Sequence, residues 1–344
     1  MTDRKILAAA LPRIADWDAA VRRDLPWRRS PTPYHVWISE IMLQQTRIEA
    51  VIPYYERFLA ELPDVAALAS VDDDRLMKLW EGLGYYSRAR NLKKAAQQII
   101  ERFGGALPAT AEELRSLSGI GEYTAGAIAS LAFHKPEPAV DGNVLRVLSR
   151  LLASKDDVMS SAVRKSVTAD LRSIYPSGEQ AALVTEGLME LGETVCIPNG
   201  EPLCVACPAA ALCRARAAGD PTQYPVRSAP KARRIEERTV LLLHCGEKYA
   251  IRRREEKGLL AGLWEFPSCE GTLTREEIDV QFPDALSLEP CGSAKHIFTH
   301  VEWHMTGWRV ELPEEAPGYV WETAETIRTA YSVPTALKYY LKQL

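Results

Sequence analysis

The sequence predicts a multidomain protein in which an all-α domain is followed by a smaller α+β domain. Two observations support this division. Up to about Ala218, apolar residues recur at three- and four-residue spacing, which is the period of amphipathic helices. After Thr239, short β-branched or alternating runs are typical of strands. At 344 residues the chain is long enough for two separate cores.

The predicted elements follow in chain order. The stretch 221–237 is basic and proline-containing, which is typical of a linker, so we expect domains at 1–220 and 238–344. We also expect helices at the extreme C-terminus. The predicted helical runs are Pro33 through Ile48 toward Pro53, Ala111 to Leu117, Tyr123 to Phe133 and Val144 to Leu152; the predicted strands are Thr239 to His244, Tyr249 to Arg253, and further strands around Ile297 to Val310.

Composition excludes several classes of protein. Apolar residues make up 47% and charged residues 26%, as in globular proteins. No apolar run is long enough to span a membrane, and the first 20 residues mix charges too evenly for a signal peptide, so we expect a cytoplasmic protein with no membrane partner. The net charge of −4 argues against bulk nucleic-acid binding. The basic runs at 88–94 and 214–234 are either local nucleic-acid contacts or solvated helix and linker surfaces.

A glycine turn is the most informative local motif. Gly119 and Gly121 flank one apolar residue between two predicted helices, which allows a tight reversal with amide N–H groups directed outward. Such a turn is suited to a phosphate. Asp141 lies a short distance downstream, at the start of the next helical run, where it also suits an N-cap. The pattern indicates a nucleic-acid backbone site with chemistry beside it.

Four cysteines form a second motif, with spacing C-x7-C-x2-C-x5-C. In a chain without a secretion signal, thiols this close together indicate metal or cluster ligands rather than disulfides. A four-iron cluster, with one thiolate per iron, fits the spacing better than zinc, which usually takes two separated pairs. Zinc remains the alternative. The four residues are Cys196, Cys204, Cys207 and Cys213.

Together with further segments, these motifs resemble the helix-hairpin-helix DNA glycosylases, and within them the MutY-type adenine glycosylases. The resemblance covers nearly the whole chain. It implies a helix-hairpin-helix glycosylase domain with an iron–sulfur cluster loop and a Nudix-like C-terminal domain. The segments that carry it, besides the cysteines and Gly119–Gly121, are Ser39–Thr46, Trp80–Arg88, Val140–Asn143, Gly258–Pro267 and His296–His300.

The resemblance also implies a function. The chain is expected to be a monofunctional enzyme that hydrolyses the N-glycosidic bond of adenine paired with 8-oxoguanine or guanine in double-stranded DNA. We expect a [4Fe-4S] cluster as cofactor, a monomer, and association with the nucleoid. The cluster is expected to organise a DNA-contacting loop, because base hydrolysis needs no electron.

Catalytic roles follow from this chemistry. Adenine leaves only after a ring nitrogen is protonated, and Glu40 lies in an apolar helical run that would raise its pKa. Asp141 is expected to stay ionised and stabilise the oxocarbenium ion, and the resemblance implies that it also forms a transient sugar adduct. Tyr123 occupies the position where lyase relatives have lysine, which points to hydrolysis without efficient strand cleavage. Tyr123 and Asn143 are expected to bind the catalytic carboxylates. Without the motif, a glutamate paired with arginine or exposed to water is the ordinary alternative for Glu40.

Other positions match substrate and DNA contacts of the family. Gln45 and Tyr85 match wedges that offset the cost of rotating the base out of the duplex, although a surface glutamine and a core tyrosine are the ordinary alternatives. Residues expected to line the adenine pocket are Trp27, Arg28 and Glu186; those expected to bind DNA are Gln45, Tyr85, Gly119, Gly121, Phe298, Thr299 and His300.

The chain departs from the family pattern twice. Its first cysteine gap has seven residues rather than six, and Thr299 replaces the usual serine. Two rival functions stay open on the residues alone: a pyrimidine glycosylase with lyase activity, and a non-catalytic DNA-binding or redox protein that uses the cluster to sense oxidants. A nucleotide pyrophosphohydrolase in the second domain is not expected, because no metal-binding acidic helix follows Pro267.

Overall fold

A computed structural model describes residues 3–229 and 232–344; Pro230 and Lys231 of the predicted linker lie outside the described residues. The chain forms two compact units. Unit 1 is Met1–Ser70 with Asn91–Ala229, and unit 2 is Val71–Arg90 with Pro230–Leu344. Unit 2 is therefore discontinuous in sequence, whereas the boundaries expected from the sequence assign residues 71–90 to the first domain.

Helices dominate unit 1, and a mixed sheet with a few helices forms unit 2. In chain order the α-helices are α1 (Arg4–Val21), α2 (Pro26–Arg29), α3 (Pro33–Leu43), α4 (Ile48–Glu61), α5 (Val65–Ser70), α6 (Asp73–Trp80), α7 (Ser87–Phe103), α8 (Ala111–Arg115), α9 (Glu122–Leu131), α10 (Gly142–Leu152), α11 (Ser161–Arg172), α12 (Glu179–Thr194), α13 (Arg214–Ala217), α14 (Arg275–Gln281), α15 (Ala324–Ala330) and α16 (Lys338–Leu341). Short 3₁₀ turns lie at Cys204–Ala206, Ala210–Leu212, Pro221–Gln223 and Thr335–Leu337. Within the described ranges, no helix is both long and apolar enough to cross a membrane.

The helical run expected from Pro33 toward Pro53 is two helices, α3 and α4. Thr32 caps α3 by accepting a hydrogen bond from the His35 amide, and Pro33 occupies the first turn, where its missing N–H costs nothing. After Leu43 the backbone turns, with Gln45 at a positive φ of 57°. A non-glycine residue rarely adopts this conformation, which cannot continue a helix. Apolar periodicity did not reveal this break.

The core of unit 1 joins helices that are distant in sequence. Apolar side chains of α1, α10, α11 and α12 form one buried cluster. At Gly187 of α12, an added Cβ would lie 2.9 Å from Ile14 of α1, so the two helices approach at a distance that only glycine permits.

The sheet of unit 2 combines parallel and antiparallel pairs. Its strands run in the order β3-β2-β1-β6-β5, with β4 beside β1 and β7 beside β2. β1 and β6 are parallel, while β1 pairs antiparallel with β2 and β6 with β5. The strands are β1 (Arg234–Cys245), β2 (Lys248–Arg253), β3 (Trp264–Glu265), β4 (Ser268–Glu270), β5 (Ser287–Ile297), β6 (Val301–Glu311) and β7 (Val320–Thr323).

Alternate residues of β1 enter two separate cores. Val240 and Leu242 pack on one face of the sheet, and Leu241 and Leu243 on the other. This burial on both faces explains the unbroken apolar run in the sequence. The strand begins at Arg234, inside the stretch expected to be linker, because charged residues before Thr239 continue its ladder with β6.

Candidate active site

Glu40 lies in the last two turns of α3 and is buried, with 5% of its surface exposed. Burial is the main influence that raises its pKa, from the ordinary 4.5 to about 7. The Tyr123 hydroxyl donates a 2.6 Å hydrogen bond to Glu40 Oε2, which opposes the rise, while the charges of Asp141 and Glu186 add to it. Glu40 can therefore hold a proton near neutral pH, as the apolar sequence around it predicts.

Asp141 is the N-cap of α10, which confirms that part of the sequence analysis. Its Oδ1 accepts a 2.7 Å hydrogen bond from the Val144 amide, and its Oδ2 accepts one of 3.0 Å from Asn143 Nδ2. Burial raises the pKa of Asp141, whereas the backbone N–H groups of Val144 and Asn143 lower it. The donors fix the carboxylate in one orientation.

Both carboxyl groups line one cavity of about 800 Å³ in unit 1. This volume is typical of sites for small organic groups such as a base. Among the residues expected to act, the cavity is lined by Glu40, Asp141, Tyr123, Asn143, Trp27, Arg28, Glu186, Gln45, Gly119 and Gly121. Tertiary structure thus brings together residues from five separate segments of the sequence.

One wall of the cavity is a cluster of charges. Arg28 donates to Glu190 Oε2 at 2.9 Å, and its Nε lies 3.9 Å from Glu186 Oε1. Arg23 binds Glu190 at 2.6 Å, and Arg22 binds Glu186 at 2.9 Å. The Arg28–Glu190 pair is largely buried on both sides, with 12% and 2% of the side chains exposed. Breaking it is costly, because the remaining partner is left with an uncompensated charge.

Glu190, whose side chain is 2% exposed, was not expected from the sequence. A signal was present in the chain: Glu186, Glu190 and Glu193 recur at four- and three-residue spacing, which places them on one face of α12. Arg23 and Met189 also line the cavity. Trp27 was expected, and its ring packs edge-on against Tyr55 with centroids 5.4 Å apart.

The glycine turn connects α8 and α9 as expected. Gly119 has a φ of +75°, and an added Cβ would lie 2.6 Å from Asn91 Cβ. Gly121 is the N-cap of α9, so amides of the first turn have no partner within the helix. Exposed Gln45 belongs to the same cavity rim. The turn is therefore suited to an anion such as phosphate.

Unit 2 holds the remaining four residues expected to bind DNA. Tyr85 is 48% exposed with a φ of +47°, and its hydroxyl lies 3.0 Å from Thr299 Oγ1. Thr299 and His300 are exposed in the turn between β5 and β6. Phe298 packs edge-on against Trp303, with ring centroids 4.9 Å apart. This turn thus presents the polar side chains of Thr299 and His300 beside the packed aromatic ring of Phe298.

Two of the four cysteines contact Arg150 of α10. Arg150 donates from Nη1 to Cys196 Sγ at 3.3 Å, and its carbonyl oxygen accepts from Cys213 Sγ at 3.3 Å. Burial raises the pKa of Cys207 to about 11, and the nearby Cys196, Cys213 and Cys204 thiols add to the rise. In the parts of the chain that the structure describes, no three His, Cys, Asp or Glu side chains are arranged to hold a single metal ion.

A chain of hydrogen bonds joins the cysteine loop to Asp141. Arg146 Nε donates to the Cys196 carbonyl at 2.8 Å, and its Nη2 donates to Asn143 Oδ1 at 2.8 Å. Asn143 in turn donates to Asp141. The position of the loop therefore bears on the orientation of this carboxylate.

Two family models match separate parts of the chain. Residues 38–173 match the family described as HhH-GPD superfamily base excision DNA repair protein, and residues 238–343 match the NUDIX domain family. The cavity residues Glu40, Tyr123 and Asp141 lie in the first match, and Thr299 lies in the second.

Individual relatives cover most of the chain. Adenine DNA glycosylase of Homo sapiens is 33% identical over 94% of this chain and 72% of its own length. The adenine DNA glycosylase of Buchnera aphidicola subsp. Acyrthosiphon pisum is 31% identical, over 85% of this chain and 83% of its own.

Two solved structures are similar to the first part of the chain. A thermostable thymine-DNA glycosylase superposes with a TM-score of 0.55 at 27% identity, covering 62% of this chain and 97% of its own. An endonuclease III bound non-covalently to DNA gives 0.54 at 25% identity, covering 64% and 99%.

Proposed function

Because this chain belongs to the adenine DNA glycosylase family, we propose that it is a monofunctional glycosylase that hydrolyses the N-glycosidic bond of adenine in double-stranded DNA. The opposite base is 8-oxoguanine or guanine. The observation that carries the proposal is the buried Glu40 carboxyl, which faces the same cavity as Asp141 and is held by Tyr123.

Glu40 acts as the general acid. With a pKa near 7 it carries a proton in a large fraction of molecules at neutral pH, and it transfers this proton to a ring nitrogen of adenine. The Tyr123 hydrogen bond orients the carboxyl. After the base leaves, ionised Glu40 accepts a proton from the water that attacks the sugar.

Asp141 stabilises the positive charge that develops on the sugar. Its two oxygens are fixed by Val144 and Asn143, so the anion needs no rearrangement when the oxocarbenium ion forms. In the retaining sequence, Asp141 Oδ forms a bond to the anomeric carbon as the bond to adenine breaks, and water then displaces the carboxylate.

Tyr123 supports hydrolysis rather than strand cleavage. A lyase needs an amine that attacks the anomeric carbon and forms an imine, and a phenol cannot do so. Arg28, Glu186 and Trp27 line the cavity and are proposed to bind the extruded adenine. Gln45 and Tyr85 are proposed to fill the space it leaves in the duplex.

Discrimination of the opposite base is assigned to unit 2. The exposed Thr299 and His300, with Phe298 beneath them, present hydroxyl, imidazole and aromatic groups in one turn. A base-specific contact needs such donors and acceptors. The Tyr85–Thr299 hydrogen bond supports a joint role of wedge and reader within unit 2.

The cofactor is proposed to be a [4Fe-4S] cluster on Cys196, Cys204, Cys207 and Cys213. Four closely spaced cysteines suit a cluster in which each iron takes one thiolate. The cluster would supply structural organisation of the loop. Arg146, which binds both the Cys196 carbonyl and Asn143, then holds the Asp141 end of α10.

The proposal is tested by incubating the protein with labelled duplexes that place adenine opposite 8-oxoguanine, guanine or cytosine, and then cleaving abasic sites with alkali. We expect release opposite 8-oxoguanine and guanine, and loss of release in Glu40→Gln. Glu101→Gln, on an exposed face of α7, is the matched control. Full turnover by Glu40→Gln would refute the acid assignment.

Two further outcomes identify the rival functions. Trapping of a covalent protein–DNA adduct by borohydride would indicate a lyase, because only an imine is reduced in this way. DNA binding without base release in a single turnover would indicate a non-catalytic DNA-binding protein. For the cofactor, a colourless preparation that contains zinc and no iron would overturn the cluster assignment.

A further inference from the structure

Asp18 is a buried acid that the proposed mechanism does not use. It lies on α1 where this helix packs against α12, and its surface is fully buried. Gly187 of α12 packs closely against it, since an added Cβ there would be 3.1 Å from Asp18 Cβ. Neither carboxyl oxygen has a hydrogen-bond partner among the described residues. Such a group is unusual, because a buried carboxylate is normally paired.

The charges around Asp18 are those of the cavity wall. Arg22 is the C-cap residue of α1, Arg28 is on α2, and Glu186 and Glu190 are on α12; the charges of all four act on Asp18. Asp18 itself does not line the cavity, whereas Arg28, Glu186 and Glu190 do. It therefore adjoins the wall without contacting the space that a base would occupy.

We propose that Asp18 is a positioning residue for base excision, whose uncharged carboxyl leaves Arg28 and Arg22 bound to the glutamates of α12. The inference rests on the proposed function. An uncharged carboxyl does not compete for a guanidinium group, so Arg28 stays on Glu190 and Arg22 on Glu186. Once ionised, Asp18 becomes a third carboxylate that attracts the positive charges of Arg28 and Arg22.

Ionised Asp18 competes with the glutamates of α12 for these arginines, and it ionises in the neutral pH range. Burial raises the pKa of Asp18 from 3.8 to about 7; the charges of Glu186 and Glu190 raise it further, and those of Arg28 and Arg22 oppose the rise. Arg28 and Glu186 also act on the charge of Glu40. Above neutral pH, base excision therefore slows for two reasons: Glu40 loses its proton, and the wall beside it rearranges.

Asp18→Asn tests this, because an amide of nearly the same shape cannot ionise. Single-turnover release of adenine opposite 8-oxoguanine is measured at about pH 6 and about pH 8.5, and each variant is compared with its own rate at the lower pH. We expect the fraction of the rate retained at high pH to be roughly threefold larger in Asp18→Asn than in the wild type. Asp16→Asn, exposed on the same helix, should match the wild type. Equal retained fractions for Asp18→Asn and wild type overturn the proposal.

Thermal unfolding without DNA gives a second measurement. Between about pH 4 and 7 the folded wild type holds a proton on Asp18 that the unfolded chain does not, so its stability falls as the pH rises. The unfolding temperature of Asp18→Asn minus that of the wild type should therefore be larger at about pH 8 than at about pH 5. An equal difference at both pH values means that Asp18 is already charged, which overturns the proposal.

The results distinguish a failure of the positioning role of Asp18 from a failure of the proposed function on which it rests. A wild type that releases no adenine at about pH 6 contradicts the proposed function and the positioning role together. An active wild type whose pH profile Asp18→Asn leaves unchanged contradicts the positioning role alone.

Discussion

At the scale of single residues, the environment that makes Glu40 a useful acid also destabilises the fold. Water would stabilise its charge, and the apolar residues of α3 exclude water. The carboxyl thus keeps its proton to a higher pH than in the unfolded chain. Function and stability are opposed at this position, as is common for active-site residues.

Glu40→Gln should therefore be more stable than the wild type at about pH 8 while losing base excision. With a pKa of 4.5 in the unfolded chain and about 7 in the fold, Glu40 lowers the free energy of unfolding above neutral pH, by about 3 kcal/mol. The penalty shrinks as the pH falls and disappears below 4.5, where both states are protonated. Urea unfolding of both proteins at about pH 8 and at about pH 4.5 measures this difference in the free energy of unfolding. A stability difference that does not change with pH would contradict the raised pKa.

At the scale of elements, Asp141 has two separable tasks. It caps the N-terminus of α10 by accepting a hydrogen bond from the Val144 amide, and it presents a negative charge to the cavity. Capping requires only an acceptor oxygen, whereas stabilising an oxocarbenium ion requires a charge. Helix and site therefore place different demands on the same side chain.

Asp141→Asn should keep the fold and lose excision. Asparagine is as good an N-cap as aspartate, so the unfolding temperature should stay close to that of the wild type. Asp141→Ala should lose excision and also about 1 kcal/mol of stability, because the cap is gone. Thermal scans and single-turnover assays of both variants measure this. Equal stability of the two variants would show that the cap contributes nothing.

The glycine turn between α8 and α9 allows a second test at this scale. In Gly119→Ala the new methyl group would collide with Asn91 and displace the turn, so affinity for DNA should fall. Gly104→Ala is a matched control: its φ of +64° imposes similar backbone strain, but nothing lies within 4 Å. Both should lose about 1 kcal/mol of stability from strain. Fluorescence anisotropy with duplex DNA distinguishes them, and equal affinities would refute the role of the turn.

At the scale of the whole molecule, the segment Val71–Arg90 belongs to unit 2 although it precedes most of unit 1. Two of its basic side chains donate hydrogen bonds to C-terminal residues. Lys78 Nζ donates to the Arg328 carbonyl at 2.6 Å, and Arg90 Nη1 donates to the Ala261 carbonyl at 2.7 Å. The two units are thus interleaved along the chain, and a cut at the linker removes only part of unit 2.

A chain that ends at Ala229 should therefore unfold at a lower temperature than the first transition of the full chain. The truncation leaves Lys78 and Arg90 without these carbonyl partners, and α6 without its contacts to α15. Differential scanning calorimetry of both chains measures this. Coincidence of the truncated chain's transition with the first transition of the full chain would show that residues 71–90 need no C-terminal partner.

The sequence alone determined the features that depend on local chemistry. The glycine turn, the Asp141 cap, the apolar surroundings of Glu40 and the change from helical to alternating periodicity all arise from residues close together in the chain, where sterics and hydrogen bonding act at short range. Only tertiary structure decided which groups meet. It places the Tyr123 hydroxyl on a carboxyl 83 residues away, Glu190 between two arginines, Asp18 behind them, and residues 71–90 in unit 2. These contacts are decided by long-range packing of apolar faces, which local periodicity does not encode.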